Sequence, residues 1–257
     1  MWIDTHAHLS SFEDEKCVAA IENAKKHDVW PIINICTDKE TLEKGWQLSQ
    51  NDAGIYHAAA ITPHDVKKPQ DFALFEKAAK DNKLVAIGET GLDYYYENSD
   101  RTLQKEWMIK HFLLALEVDL PLLIHCRDAF FDFFDLLDKH YLSSSQSKRG
   151  ILHCFTGSLE DAKKAIDRGF YISFSGIVTF KNAKALQEIA KQIPLEHCVV
   201  ETDAPFLAPQ SKRGQVNEPA FVTEVGEAIA ILKGVGVKEV ERITTQNAEA
   251  IFSLELL

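Results

Sequence analysis

Apolar residues along the chain fall into short continuous runs separated by longer stretches where they recur every three or four positions. The runs at Trp2–His6, Trp30–Cys36, Gly54–Ala60, Leu84–Gly88, Leu122–His125, Ile151–Cys154, Phe170–Phe174 and Cys198–Glu201 predict strands. Continuous rather than alternating hydrophobicity is expected of strands covered on both faces, as in a parallel sheet flanked by helices. The helical spacing predicts helices near 13–28, 39–50, 69–82, 100–118, 129–140, 159–168, 183–192, 218–233 and 238–252. Eight strands alternating with helices over 257 residues match a (β/α)8 barrel, read here as one domain spanning 1–257. An open doubly wound sheet competes, but no G-x-G-x-x-G follows the first strand. The polar stretch Ser143–Lys148 is short enough for a loop between a helix and a strand. The long segment Ala204–Pro219 follows the last strand, and connections of that length usually carry function or are disordered.

Composition narrows the class. Apolar residues make up 46% and charged residues 26%, as in a globular protein with a full core. The 39 acidic and 28 basic residues leave a formal charge of −11, which argues against a generally basic nucleic-acid coat. It does not argue against an enzyme that meets phosphates through bound cations. Five scattered cysteines without a C-x-x-C pair suit a reducing compartment. Asp4 interrupts the position where a signal peptide needs an apolar run, and no apolar stretch approaches the ~20 residues of a membrane span. A cytoplasmic protein away from membranes, with no obligate protein partner, is the expectation.

The chemistry gathers at strand ends. His6 and His8 close the first strand, Glu89 follows the fourth, His125 ends the fifth, His153 lies near the end of the sixth and Asp203 follows the eighth. In a barrel all of these positions face one rim, where barrel enzymes place their active sites. A strand period of two sets His6 and His8 on one face with Asp4 below them. Burying four imidazoles and two carboxylates there without a cation would leave costly unpaired polar groups. The set exceeds what one zinc needs and suits two adjacent divalent cations; thiolate-free N/O ligation is compatible with Zn, Mn, Co or Ni, and less decisively with Mg. Cys126 and Cys154, directly after two of the histidines, read as small buried hydrophobes facing away from the metals.

At these residues the chain resembles the TatD family of metal-dependent hydrolases. The resemblance rests on "IDTHAHL", "AIGETGLDYY", "PLLIHCRDA", "LHCFTGS", "ISFSGIVTFKNAK", "VVETDAP" and "NEPAFV". It implies a barrel of the amidohydrolase type with one metal on His6, His8, Glu89 and Asp203, and the other on Glu89, His125 and His153. It implies deoxyribonuclease activity at DNA ends, 3′ to 5′, on 3′ ends or single strands; deacylation of D-aminoacyl-tRNA is the alternative. Three departures stand out: Thr62 replaces the first histidine of the family's Gly-x-His-Pro-His stretch, leaving His64, while Ser10 and Phe131 occupy positions that are usually Asp or Asn and acidic, respectively. The run before "NEP" is also altered, to "SKRGQV".

Roles follow as expectations. Two cations would lower the pKa of a water between them toward ~7, giving a hydroxide near neutrality. Glu89 is the bridging carboxylate, and Asp203, beside that water, is the general base. Arg127 shares the face of His125 and is expected to hold a phosphate, with a structural ion pair nearly as good an explanation; His64 is the second substrate contact. Glu201 is expected to orient substrate or a ligand, or to be only a strand-end charge. Tyr94–Tyr96 could stack on bases or pack the rim. Lys212 and Arg213 offer local positive charge on the long loop. Asn217–Glu218–Pro219 reads as an N-cap with proline at the helix start. His27, His57, His111, His140 and His197 lack the spacing of ligands.

Overall fold

A computed structural model describes residues 1–67, 72–96, 98–144 and 149–254. Eight parallel strands form one sheet in sequence order: β1 (Trp2–Ala7), β2 (Val29–Cys36), β3 (Ile55–Ala59), β4 (Ala86–Asp93), β5 (Leu122–Arg127), β6 (Gly150–Leu152), β7 (Tyr171–Phe174) and β8 (Cys198–Val200). Ala7 makes a parallel bridge with Ala204, so the last strand returns to the first and the sheet closes as a (β/α)8 barrel. The helices are α1 (Asp14–Lys26), α2 (Lys39–Asn51), α3 (Phe72–Lys80), α4 (Arg101–Val118), α5 (Phe130–His140), α6 (Leu159–Asp167), α7 (Lys184–Gln192), α8 (Val222–Lys233) and α9 (Val237–Phe252). Residues 69–71 of the helix expected over 69–82, and 145–148 of the Ser143–Lys148 loop, lie outside the described residues.

Packing explains the continuous apolar runs. One face of each strand fills the barrel with a small cluster that includes Ile3, Ile33, Ile35, Ala58, Leu123, Ile151 and Val199. The other face joins the larger layer under the helices, with residues such as Trp2, Ile32, Leu122, Phe133 and Val225. Both faces are buried, so alternation is lost. Helix starts are set locally. Asp38 and Ser158 form capping boxes with Thr41 and Asp161, and Asp100 accepts the N–H groups of Thr102 and Leu103 at the start of α4.

The largest departure from the expected strands is β4, which runs to Asp93 rather than stopping at Gly88. Gly88, Glu89 and Gly91 look like turn residues in sequence. The strand continues because Gly91, at φ +143°, lies so close to β5 that a Cβ there would sit 1.9 Å from the His125 carbonyl oxygen. The β4–β5 register shifts between Ile87 and Thr90, which marks an irregularity around Glu89. Glu89 therefore stands inside a strand at the rim, not on a following loop. The β1 ladder is also irregular between Asp4 and Ala7, so simple alternation does not describe how His6 and His8 converge.

Candidate metal centre

Six side chains meet at the C-terminal rim: His6, Glu89 and His125 from β1, β4 and β5, and His8, His153 and Asp203 from the residues just after β1, β6 and β8. His6 Nε2 and His8 Nε2 lie 3.3 Å apart. Glu89 Oε2 is 3.6 Å from the first and 3.7 Å from the second, and Asp203 Oδ1 is 3.6 and 3.4 Å from them. A metal–ligand distance of about 2.1 Å places tetrahedral donors ~3.4 Å apart. His6, His8 and Asp203 offer donor atoms within 4.8 Å of one another, which can hold one divalent cation, and Glu89 Oε2 approaches both histidines of that group. Without a cation, lone pairs of two imidazoles and two carboxylates face one another at a buried point.

A second group forms beside it. Glu89 Oε1 is 3.1 Å from both His125 Nδ1 and His153 Nε2, and those two nitrogens are 3.2 Å apart. The two oxygens of Glu89 are thus divided between the groups. His6 and His153 rings stack between them with centroids 4.0 Å apart. The donors present can hold metal in both places.

Electrostatics follow the same division. Burial alone would raise the Glu89 carboxyl, but the surrounding imidazoles hold it well below the usual range. Burial likewise opposes ionisation of Asp203, and the bond to His8 with the charges of His6 and His8 wins, leaving it lowered. Burial lowers His6. For His8, His125 and His153 burial is outweighed by neighbouring carboxylates, and all three are raised. Asp4 is pushed up to about 8 by burial, against hydrogen bonds from Thr202 and the His6 N–H. It ties β1 to the segment carrying Asp203, rather than touching either ligand ring.

Glu201 is fully buried and absent from the cavity wall. It accepts hydrogen bonds from Ser173 Oγ at 2.6 Å and the Cys154 N–H at 2.7 Å, with Oε1 3.4 Å from His153 Nδ1. Of the expected roles, its position favours orienting a ligand and leaves it no contact with substrate. Asp93 went unrecognised in the sequence. Its Oδ2 lies 2.8 Å from His125 Nε2, and its Oδ1 accepts the N–H groups of Tyr95 and Tyr96. The signal was available, because period two from Glu89 passes through Gly91 to Asp93.

His8, Glu89, His125, His153 and Asp203 line a cavity of about 570 Å³, together with His64, Arg127, Tyr96 and Phe206. Arg127 stacks on Tyr95 and Tyr96, 4.1 and 5.1 Å from the ring centroids, with no carboxylate at ion-pair distance among the described residues. His64 Nε2 is 3.6 Å from Asp93 Oδ2, and its ring lies 5.3 Å from that of His125. Thr62 sits on the same wall. Ser10 bonds Asn34 and takes no part in the donor groups, while Phe131 is exposed at the start of α5.

Two expectations are corrected. Cys154 does not point away from the site: its backbone adopts φ +44°, which breaks strand alternation and brings it to the cavity wall, with Cys126 also lining it. Asn217 is not an N-cap. Its Nδ2 donates to the carbonyls of Thr202 and Phe206, and the helical turn that follows has no side-chain cap. Lys212 and Arg213 stack over Phe221 and Phe180, away from the cavity.

A closed parallel barrel with histidine–carboxylate clusters at its C-terminal rim defines a metal-dependent hydrolase. Residues 3–253 match the TatD related DNase family, and the chain belongs to that family. It is 40% identical over 257 residues to an uncharacterized metal-dependent hydrolase of Bacillus subtilis, YabD, covering 99% of this chain and 100% of the relative. It is 32% identical over 225 residues, 85% of each chain, to the 3′-5′ ssDNA/RNA exonuclease TatD of Salmonella typhimurium. The crystal structure of YjjV, a TatD homologue from Escherichia coli, superposes with a TM-score of 0.91 at 26% identity, covering 99% of this chain and 98% of that one. No helix among the described residues is long and apolar enough to cross a membrane.

Proposed function

We propose that this chain is a phosphodiesterase that removes nucleotides from DNA ends in the 3′ to 5′ direction, using two divalent cations. The observation that carries the two-cation site is the division of Glu89, with Oε2 toward His6, His8 and Asp203 and Oε1 toward His125 and His153. Kinship with a relative named as a 3′-5′ exonuclease supports the substrate class. When bound, the cations lower the pKa of water at the site and offset charge on the reacting phosphate.

The protein's own groups supply the rest. Asp203, lowered by its imidazole neighbours, is unprotonated near neutrality and accepts a proton from the attacking water at its carboxylate. Asp93 and Glu201 orient His125 and His153 from behind. Arg127 and His64, on the cavity wall, hold phosphate oxygens. The net charge of −11 weakens the hold on long nucleic acid, which favours chain ends over wrapped duplex.

The test offers 3′-labelled single-stranded DNA and D-aminoacyl-tRNA in parallel to protein loaded with Mg, Mn or Zn. Nucleotide release that disappears in His125→Ala is expected. Metal-dependent deacylation without nucleotide release would replace this proposal with an esterase.

A further inference from the structure

Three exposed aromatic rings are unused by hydrolysis: Tyr96 and Phe206 line the cavity, and Tyr95 meets Tyr96 edge-on with ring centroids 4.8 Å apart. Tyr95, Tyr96 and Phe206 are 56%, 54% and 54% exposed, so each leaves much of a large apolar surface in water. Their neighbour Tyr94 shows what ordinary rim packing looks like: its hydroxyl donates to Asp132 at 2.6 Å and its ring lies under Arg101. The exposed three are instead fixed through their backbones. Asp93 Oδ1 accepts the N–H groups of Tyr95 and Tyr96, both at 2.9 Å. The Phe206 N–H donates to the Asp203 carbonyl at 2.8 Å, and its own carbonyl accepts from Asn217 at 2.6 Å. The backbone under each ring is held in place, and each residue stays more than half exposed.

Topology sets them against each other. Tyr95 and Tyr96 follow β4 and Phe206 follows β8, and in a closed eight-stranded barrel the fourth and eighth strands are diametrically opposed. Between them lie the donor groups. Phe206 meets the His8 ring edge-on at 5.8 Å, and Tyr96 meets His64 likewise at 5.8 Å. On the tyrosine side the Arg127 guanidinium stacks on both rings without a carboxylate partner among the described residues, a free cation in a chain of charge −11. Half-exposed aromatic rings beside a cation with no carboxylate partner among the described residues complement a ligand with flat π-surfaces and negative charge between them.

We propose that Tyr95 with Tyr96 and, across the mouth, Phe206 form a two-sided stacking clamp for the unpaired bases on either side of the scissile phosphate of a single-stranded nucleic acid. The clamp rests on the phosphodiesterase reading for its substrate but not on the metal assignment. Every base has a π-face, so stacking grips the strand without reading its sequence, and Arg127 adds a phosphate contact. Paired bases are not available to such a clamp.

The test compares a short single-stranded oligonucleotide with versions carrying one abasic site at successive positions from the cleaved end, for the wild type, Tyr95→Ala/Tyr96→Ala and Phe206→Ala, with Mn²⁺ present. In the wild type, removing a clamped base should raise KM about 5- to 100-fold. In each aromatic variant the corresponding abasic site should cost nothing further, while melting temperatures stay close to wild type. Indifference of the wild type to abasic sites, or undiminished sensitivity in the variants, overturns the clamp. Anisotropy of the labelled oligonucleotide in EDTA separates the two proposals. Aromatic-dependent binding without cleavage keeps the clamp and removes the nuclease; cleavage without aromatic dependence does the reverse.

Discussion

Asp93 Oδ2 lies 2.8 Å from His125 Nε2, on the far side of the ring from Glu89. The pairing places the His125 proton on Nε2 and leaves the Nδ1 lone pair facing Glu89 and His153. The same carboxylate holds Tyr95 and Tyr96 through its other oxygen. Burial would raise it, yet the bond from His125 and the two backbone N–H groups bring it down to about 2.

Replacement of Asp93 tests that link. Asp93→Asn keeps an acceptor for the tyrosine N–H groups, but its amide can present a donor to His125 and favour the wrong tautomer. Loss of such an outer partner typically costs 10- to 100-fold in metal affinity or activity. Asp93→Asn should therefore bind metal at the Glu89–His125–His153 group ~10- to 100-fold more weakly, with a melting temperature near wild type. Full metal content by elemental analysis with an unchanged rate would remove Asp93 from the centre.

Metal removal should expose the cost of the bare cluster. Dialysis against a chelator is expected to abolish activity, and loading should raise stability through linkage, by ~2.7 kcal/mol at a hundredfold excess over Kd. For a chain of this size that is roughly 5–10 °C in melting temperature. Glu89→Gln weakens both groups at once and should hold fewer than two metals per chain. Calorimetry showing no metal-dependent shift in the wild type would contradict the two-cation site.

The six residues that converge at the rim were legible because each is a polar residue at or just after the end of an apolar run, and chain order fixed which strands they follow. The irregular parts were not. Glu89 sits in a strand whose glycines imitate a turn, and its placement depends on contact with β5. Cys154 left the expected face through a left-handed backbone angle that no local pattern announces. Phe206 and Asn217 belong to a loop whose path is set by long-range bonds between residues up to fifteen positions apart.

Acid should destabilise the fold partly through His111, whose Nδ1 lies 2.8 Å from the hydroxyl of Thr90, next to Glu89 in β4. The His111 Nε2 accepts the Ile61 N–H at 3.2 Å, and burial pushes the imidazole down to about 3. In the unfolded chain it titrates near ~6.5. Between those values the unfolded state binds the extra proton, so the stabilising contribution is complete above ~6.5 and is lost as pH falls toward about 3. At pH 5 the linked loss is on the order of 2 kcal/mol. His111→Gln should flatten the drop in urea midpoint between pH 7 and pH 5; equal slopes for the two proteins would refute this origin.

Asn217 brackets Asp203. Its Nδ2 donates to Thr202 O at 2.8 Å and to Phe206 O at 2.6 Å, while its backbone N–H donates to Pro205 O at 3.1 Å. The side chain is fully buried, and between the two carbonyls it holds, Asp203 adopts φ +59°, a conformation unfavourable to most side chains. Asn217→Ala leaves both carbonyls without their donor, costing ~1–3 kcal/mol in stability. Asn217→Asp keeps the shape but turns a carboxylate toward those carbonyls and should be worse. If the staple matters only to folding, both metals bind the surviving folded protein as in the wild type. If it positions Asp203, affinity falls at the His6–His8–Asp203 group more than at His125–His153, and a two-site metal titration of the folded variant distinguishes these outcomes.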